Sequence, residues 1–127
     1  MSGGEFRILV TGSRDWTLRT VVRAALLGHA WIGRAVRPVL VHGGARGADT
    51  IAAEEFVELF GHRGSVEVFP ADWERYGKAA GYRRNAEMVK AGADVCLAFP
   101  LGESRGTRMC MKLAEEAGIP VLNYGDE

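Results

Sequence analysis

The chain has 127 residues and 16 basic against 16 acidic side chains, so its formal net charge is zero. That length fits one compact domain spanning 1–127 that folds without staples, and the charge balance excludes a generally basic coat for nucleic acid. With 47% hydrophobic and 25% charged residues, the composition excludes disordered, collagenous and coiled-coil chains, and the two cysteines are too few for a disulfide framework and too isolated for structural zinc.

Residues Phe6 to Val10 form a short apolar run, predicting a first strand, and Thr11-Gly12-Ser13-Arg14-Asp15 follows at once. From Thr17 to about Ala30, Leu18, Val22, Ala25 and Leu26 recur at helical spacing, and Gly33 and Pro38 bracket the exit. Val39 to Val41 is a second run, ending at His42 and a glycine-rich stretch. Asp49 then precedes a helix with Ala52, Phe56, Leu59 and Phe60 inward and Glu54, Glu55 and Glu58 in solvent. Gly61 and Gly64 close it, and Val66 to Phe69 reads as a third strand.

Pro70 to Gly81 is the one long connection, and it carries Trp73, Tyr76 and Gly77. A short helix from about Arg83 to Ala91 is stopped by Gly92 as a C-terminal glycine cap. Val95 to Phe99 is the fourth strand. A further glycine-containing loop leads to a helix with Met109, Leu113, Ala114 and Ala117 inward, which Gly118 and Pro120 terminate before a final strand at Val121 and Leu122. Residues 1–4 and 125–127 are expected to fray.

Five continuously apolar strands alternating with four amphipathic helices predict an α/β fold in which a parallel sheet is covered on both faces. Right-handed crossovers make it a Rossmann-like three-layer sandwich. The apolar runs are far shorter than a membrane span, and the first ten residues lack a basic segment followed by a long apolar one. The expectation is a reduced, cytoplasmic protein with no membrane partner.

In such a sheet, ligands bind at the carboxyl ends of the strands, where strand order reverses. Three loops fall on that edge: Thr11 to Trp16, Gly43 to Asp49, and Leu101 to Arg108. Each joins glycine to arginine. Thirteen of the sixteen basic residues are arginines, and Arg14, Arg46, Arg83, Arg84, Arg105 and Arg108 sit in or beside these turns. Glycine lets backbone N–H groups approach an anion, helix N-termini add unpaired donors, and arginine adds bidentate bonds. Glycine and hydroxyl residues also serve ordinary turns and caps, but turn chemistry does not ask for arginine. A phosphorylated small molecule is the expected ligand. Gly43, Gly44, Arg46 and Gly47 would hold one phosphate, Ser104, Arg105, Gly106 and Thr107 another, and Gly12, Ser13 and Arg14 would close the cleft. No Walker A or Gly-x-Gly-x-x-Gly pattern is present.

The motifs Thr11-Gly12-Ser13-Arg14, His42 to Asp49, Ala71-Asp72-Trp73, Gly77 through Gly81, Arg84-Asn85 with Met88, and Ser104-Arg105-Gly106-Thr107 together resemble the SLOG superfamily. That superfamily unites DprA (Smf) with the LOG phosphoribohydrolases, and the chain is most similar to its small YspA-like branch. The resemblance implies a nucleotide or nucleotide-derived ligand, such as a dinucleotide or ADP-ribose-like molecule. It adds Asp49, Asp72, Trp73, Arg84 and Asn85 to the expected ligand-binding residues, and it implies a homodimer or higher homo-oligomer. No cofactor is implied.

Some members cleave the N-glycosidic bond of nucleoside monophosphates, which makes a phosphoribohydrolase the alternative reading. LOG enzymes place a catalytic glutamate in Gly-Thr-x-x-Glu, whereas here Gly106-Thr107 runs on to Arg108, Met109 and Cys110. A glycosidase needs a carboxylate. Asp49, Asp72, Glu87 and Glu103 are the candidates, and their spacing selects none. Single-stranded DNA, by analogy with DprA, is a third reading against which zero net charge and a short chain weigh.

Trp73 can stack on a base or pack the long connection onto the core, and Trp16 faces the same choice. His29, His42 and His62 have no metal-ligand spacing, so no metal is expected. Cys96 is expected in the core, and Cys110 has no evident histidine partner that would make it a nucleophile.

Overall fold

The computed structural model describes residues 4–30 and 37–125. Gly33 and the expected frayed ends, apart from Gly4 and Gly125, lie outside them. Five strands alternate with helices: β1 (Glu5–Gly12), α1 (Arg19–Ala30), β2 (Arg37–His42), α2 (Ala48–Phe60), β3 (Ser65–Val68), α3 (Trp73–Tyr76), α4 (Ala80–Ala91), β4 (Val95–Phe99), α5 (Arg105–Glu116) and β5 (Val121–Asn123). All pairings are parallel and the spatial order is β3-β2-β1-β4-β5. Strand order therefore reverses between β1 and β4. No helix among the described residues is long and apolar enough to cross a membrane.

Alternation along the strands divides the core in two. Ile8, Val10, Leu40, Leu97 and Phe99 point to the face covered by Val22 and Leu26 of α1 and Ala52 and Phe56 of α2. Leu9, Val39, Val41 and Cys96 point to the other face, against Met88 of α4 and Cys110 and Ala114 of α5. Each fully buried large side chain contributes about 1.5–3 kcal/mol of hydrophobic free energy, so the two clusters fix both helical layers to the sheet. Trp16 joins the first cluster at 3% exposure, edge-on to Phe99. Trp16 is therefore a core residue.

Several local expectations need correcting. The Pro70 to Gly81 connection is not a plain loop: it folds into α3 and a 3-10 turn at Gly77–Ala79, and α4 begins at Ala80. The Asp72 side chain accepts a hydrogen bond from the Arg75 N–H at 3.1 Å and starts α3. Leu18 precedes α1 and is exposed, and Ala117 lies past α5 and is exposed too.

Glu55 is not solvated. It is buried and accepts from Arg19 and Arg23, each at 2.8 Å, which ties α1 to α2. Those hydrogen bonds, Arg19's first, hold its carboxyl below the usual range.

Candidate functional site

At the carboxyl ends of β1, β2 and β4 the three loops meet. Gly12 and Gly47 make this possible. A Cβ on Gly12 would collide with the Ala48 side chain, and one on Gly47 would strike the Ser13 and Arg14 backbone. Gly47 also has φ 79° and ψ −127°, a conformation open essentially to glycine alone. With both contacts permitted, the Ala48 N–H donates to the Ser13 carbonyl at 3.1 Å, and the Ser13 N–H donates to Phe99 at 2.9 Å. The β1 loop is thereby stitched to both neighbours.

A cavity of about 310 Å³ opens over this junction. Gly12, Ser13, Arg14, Asp49, Arg84, Asn85, Ser104, Arg105, Gly106 and Thr107 line it, so ten of the expected ligand residues are brought together. A second cavity of about 400 Å³ adjoins it, lined by Arg14, Gly43, Gly44, Ala45, Arg46, Pro70, Ala71, Trp73 and Arg84. Arg14, Ala45 and Arg84 belong to both walls. Trp73 is half exposed and stands at the second cavity, not in the core.

The six arginines do not all converge. Arg83 turns away to lie over the Tyr76 ring, 4.2 Å from its centre. Arg108 donates from Nε and Nη2 to the carbonyls of Gly102 and Glu103, closing its own loop. Arg84 is the hinge of the site: Nη1 donates to the Gly43 carbonyl at 2.6 Å and Nε to Asn85 Oδ1 at 2.8 Å. Asn85 Nδ2 then donates to the Gly106 carbonyl at 3.2 Å. One chain of polar contacts thus runs from the β2 loop through α4 to α5.

The glycine loop spends its donors internally. The N–H groups of Gly43 and Ala45 donate to Asp49 Oδ2 at 3.0 and 3.3 Å, and that of Gly44 to His42 Nδ1 at 2.9 Å. His42 is therefore the neutral imidazole with its proton on Nε2. Its pKa is lowered by burial and by the nearby Arg84 charge. The first turn of α5 is different. Ser104, at φ 40° and ψ 55°, starts the helix without a side-chain cap, and its Oγ donates instead to Thr107 Oγ1 at 2.9 Å. The N–H groups of the first turn have no intrahelical acceptor and carry the positive end of the helix dipole. Space beside Gly106 is open. With Arg14, Arg84 and Arg105, this turn gives its side of the cleft a positive charge.

The four candidate carboxylates separate cleanly. Asp72 caps α3, Glu87 lines a different surface with Tyr82 and Ala86, and Glu103 is exposed 3.8 Å from Arg105. Of these four only Asp49 lines the cleft, where Asp15 stands as well. Asp49 is 5% exposed, and its Oδ1 has no hydrogen-bond partner among the described residues. Burial pushes its pKa up to about 6, against the opposing pull of the Ala45 and Gly43 N–H groups and of Arg84 and Arg14.

Cys110 lies just beneath. Burial pushes its thiol up to about 11, so it is a protonated core group bonded to Thr11, not a nucleophile. Sequence reasoning missed the buried partnership of Asp49 with the glycine loop. A lone aspartate at a helix start reads equally well as a cap or a ligand residue.

A family model for YAcAr, the YspA, cpYpsA-related SLOG family, matches residues 6–76, which covers β1 through α3 and the first two loops. The chain is also similar to the "Gene 61 protein" of Mycobacterium phage D29. The two are 54% identical over 126 residues, 95% of this chain and 98% of the other.

Proposed function

The chain belongs to the YspA, cpYpsA-related SLOG family, and from that premise we propose that it binds a phosphorylated nucleotide derivative across the two adjoining cavities. The supporting observation is that Arg14 and Arg84 stand in the shared wall, with the open first turn of α5 on one side and Trp73 on the other. A phosphate at the shared wall takes charge-assisted bonds from both guanidinium groups. A base over Trp73 takes a stacking face worth about 1–3 kcal/mol. A pyrophosphate-linked ligand of the ADP-ribose or dinucleotide kind fills both halves.

Calorimetry with AMP and ADP-ribose tests this. Arg14→Ala removes a charge common to both cavities, and loss of one charged hydrogen bond, about 1.5–3 kcal/mol, weakens both probes by about 10- to 100-fold. Arg46 touches only the second cavity, so Arg46→Ala weakens ADP-ribose by a similar factor. Undiminished affinity in Arg14→Ala refutes the reading.

A second reading, N-glycosidic hydrolysis of a nucleoside monophosphate, is favoured by one observation: of the two carboxylates lining the cleft, Asp15 and Asp49, Asp49 is buried and its pKa of about 6 lies within reach of neutral pH. Release of free base from AMP by the intact protein separates hydrolysis from binding.

A further inference from the structure

Asp49 is over-committed on one oxygen and unserved on the other. Oδ2 accepts from Gly43 and Ala45, while Oδ1 is shut off from bulk water with no donor among the described residues. An unpaired buried acceptor is costly and marks a site awaiting a partner. The groups facing Asp49 offer none: Arg14 from the β1 loop and Arg84 from α4 act on it through their charge, not through a hydrogen bond, and Cys110 from α5 is bonded to Thr11. His42, at the end of β2, accepts from Gly44. Arg84 already spends Nη1 and Nε on Gly43 and Asn85.

Asp49 lines the cleft, so a bound group that displaces solvent there can supply the missing donor. Arg14, Arg84 and Arg105 outnumber Asp15 and Asp49 on the cleft wall, so a cationic group is disfavoured and the donor is neutral. It must also sit close to an anion held at the same wall. Sugar hydroxyls on a nucleoside phosphate meet both conditions.

We propose that Asp49 Oδ1 accepts a hydrogen bond from a ribose hydroxyl of the ligand, making the cleft selective for ribonucleotides over their deoxy counterparts. This rests on the nucleotide-binding reading above. Below about pH 6 a proton occupies the group in the free protein, which fits a buried oxygen without a donor. Ionised Asp49 makes the stronger, charge-assisted bond, so selectivity for the hydroxyl grows as pH rises through about 6. Taking the ratio of ribo to deoxy affinity cancels the ionisation of the phosphate itself.

The experiment is calorimetry of the intact protein with AMP, 2′-deoxy-AMP and 3′-deoxy-AMP at pH 5 and pH 8, repeated with GMP, CMP and UMP and their deoxy forms. At pH 8 at least one deoxy form binds about 10-fold or more weakly than the ribonucleotide, and the ratio shrinks at pH 5. Asp49→Asn keeps an oxygen for the Gly43 and Ala45 N–H groups and puts a non-titrating amide in place of Oδ1, so the pH dependence of the ratio disappears. Ribo and both deoxy forms bound within two-fold of one another at pH 8 overturn the role of Asp49 while leaving nucleotide binding intact. A ratio that widens toward pH 5 overturns it too, because an ionised carboxylate is the better acceptor for a hydroxyl and must favour the ribo form more, not less. Failure of every ribonucleotide and of ADP-ribose to bind removes the parent reading as well.

Discussion

Burial raises the Asp49 carboxyl from its ordinary 3.8 to about 6, and the sign of that shift has a consequence for stability. The folded chain holds this proton more tightly than the unfolded chain does. The contribution of the group is therefore fully present below about pH 3.8 and is lost as pH rises through about 6. At 1.36 kcal/mol per unit, ionised Asp49 costs the fold about 1–3 kcal/mol at pH 8. Glu67 has the opposite sign. Hydrogen bonds from Arg7 at 2.8 and 2.9 Å hold it below the usual range, and its contribution fades as pH falls. Comparing wild type with Asp49→Asn cancels the Glu67 effect. Urea unfolding should show the variant gaining about 1–3 kcal/mol relative to wild type between pH 4 and pH 8. A constant difference across that range would show that Asp49 titrates as an ordinary surface carboxylate. The destabilised group lines the cleft, as expected where a fold gives up stability to a binding site.

Elements were legible wherever one physical signal dominated. β4 reads as five consecutive apolar residues and is buried at all five, and Gly92 stops α4 at φ 94° as a glycine cap should. Elements set by tertiary contacts were not legible. Glu55 carries the same charge pattern as its exposed neighbours Glu54 and Glu58, and only the approach of Arg19 and Arg23 from α1 buries it. In α3, a single turn after Asp72 is too short to show helical periodicity.

The glycine loop was recognised, but the direction of its N–H groups was not, because glycine permits both inward and outward turns. Gly47 is the clearest test at this scale. An alanine there must adopt a glycine-only conformation, at about 1–3 kcal/mol, and must also push back the Ser13 and Arg14 backbone. Gly47→Ala should lower the unfolding free energy by at least that amount and weaken nucleotide binding in step, since the β1 and β2 loops part together. Intact stability with intact affinity would mean that the loops tolerate separation.

Across the whole molecule, the sheet order places the reversal point between β1 and β4, and the loops of β1, β2 and β4 surround it without joining directly at every edge. Arg84 completes the ring, since its contacts to Gly43 and Asn85, and Asn85's to Gly106, bind α4 to both the β2 loop and α5. The same side chain faces both cavities. The proposed ligand site and one polar bridge between the β2 loop and α5 therefore share a residue. A ligand that binds the native state alone stabilises it by about 2.7 kcal/mol at 100 times its Kd. For a domain of this size that is about 10 °C in Tm. Arg84→Ala should lower the ligand-free Tm, through loss of the bridging contacts. At the same ADP-ribose concentration it should also shrink the ligand-induced rise to about 5 °C or less, as a 10-fold or greater loss of affinity requires. Arg84→Lys keeps the charge without the planar fork that reaches Gly43 and Asn85 at once, so it should recover part of the ligand effect and little of the ligand-free stability. Thermal melts with and without ADP-ribose distinguish these outcomes. A lowered Tm with an undiminished ligand shift would make Arg84 a structural strut and leave the anion to Arg14 and the first turn of α5.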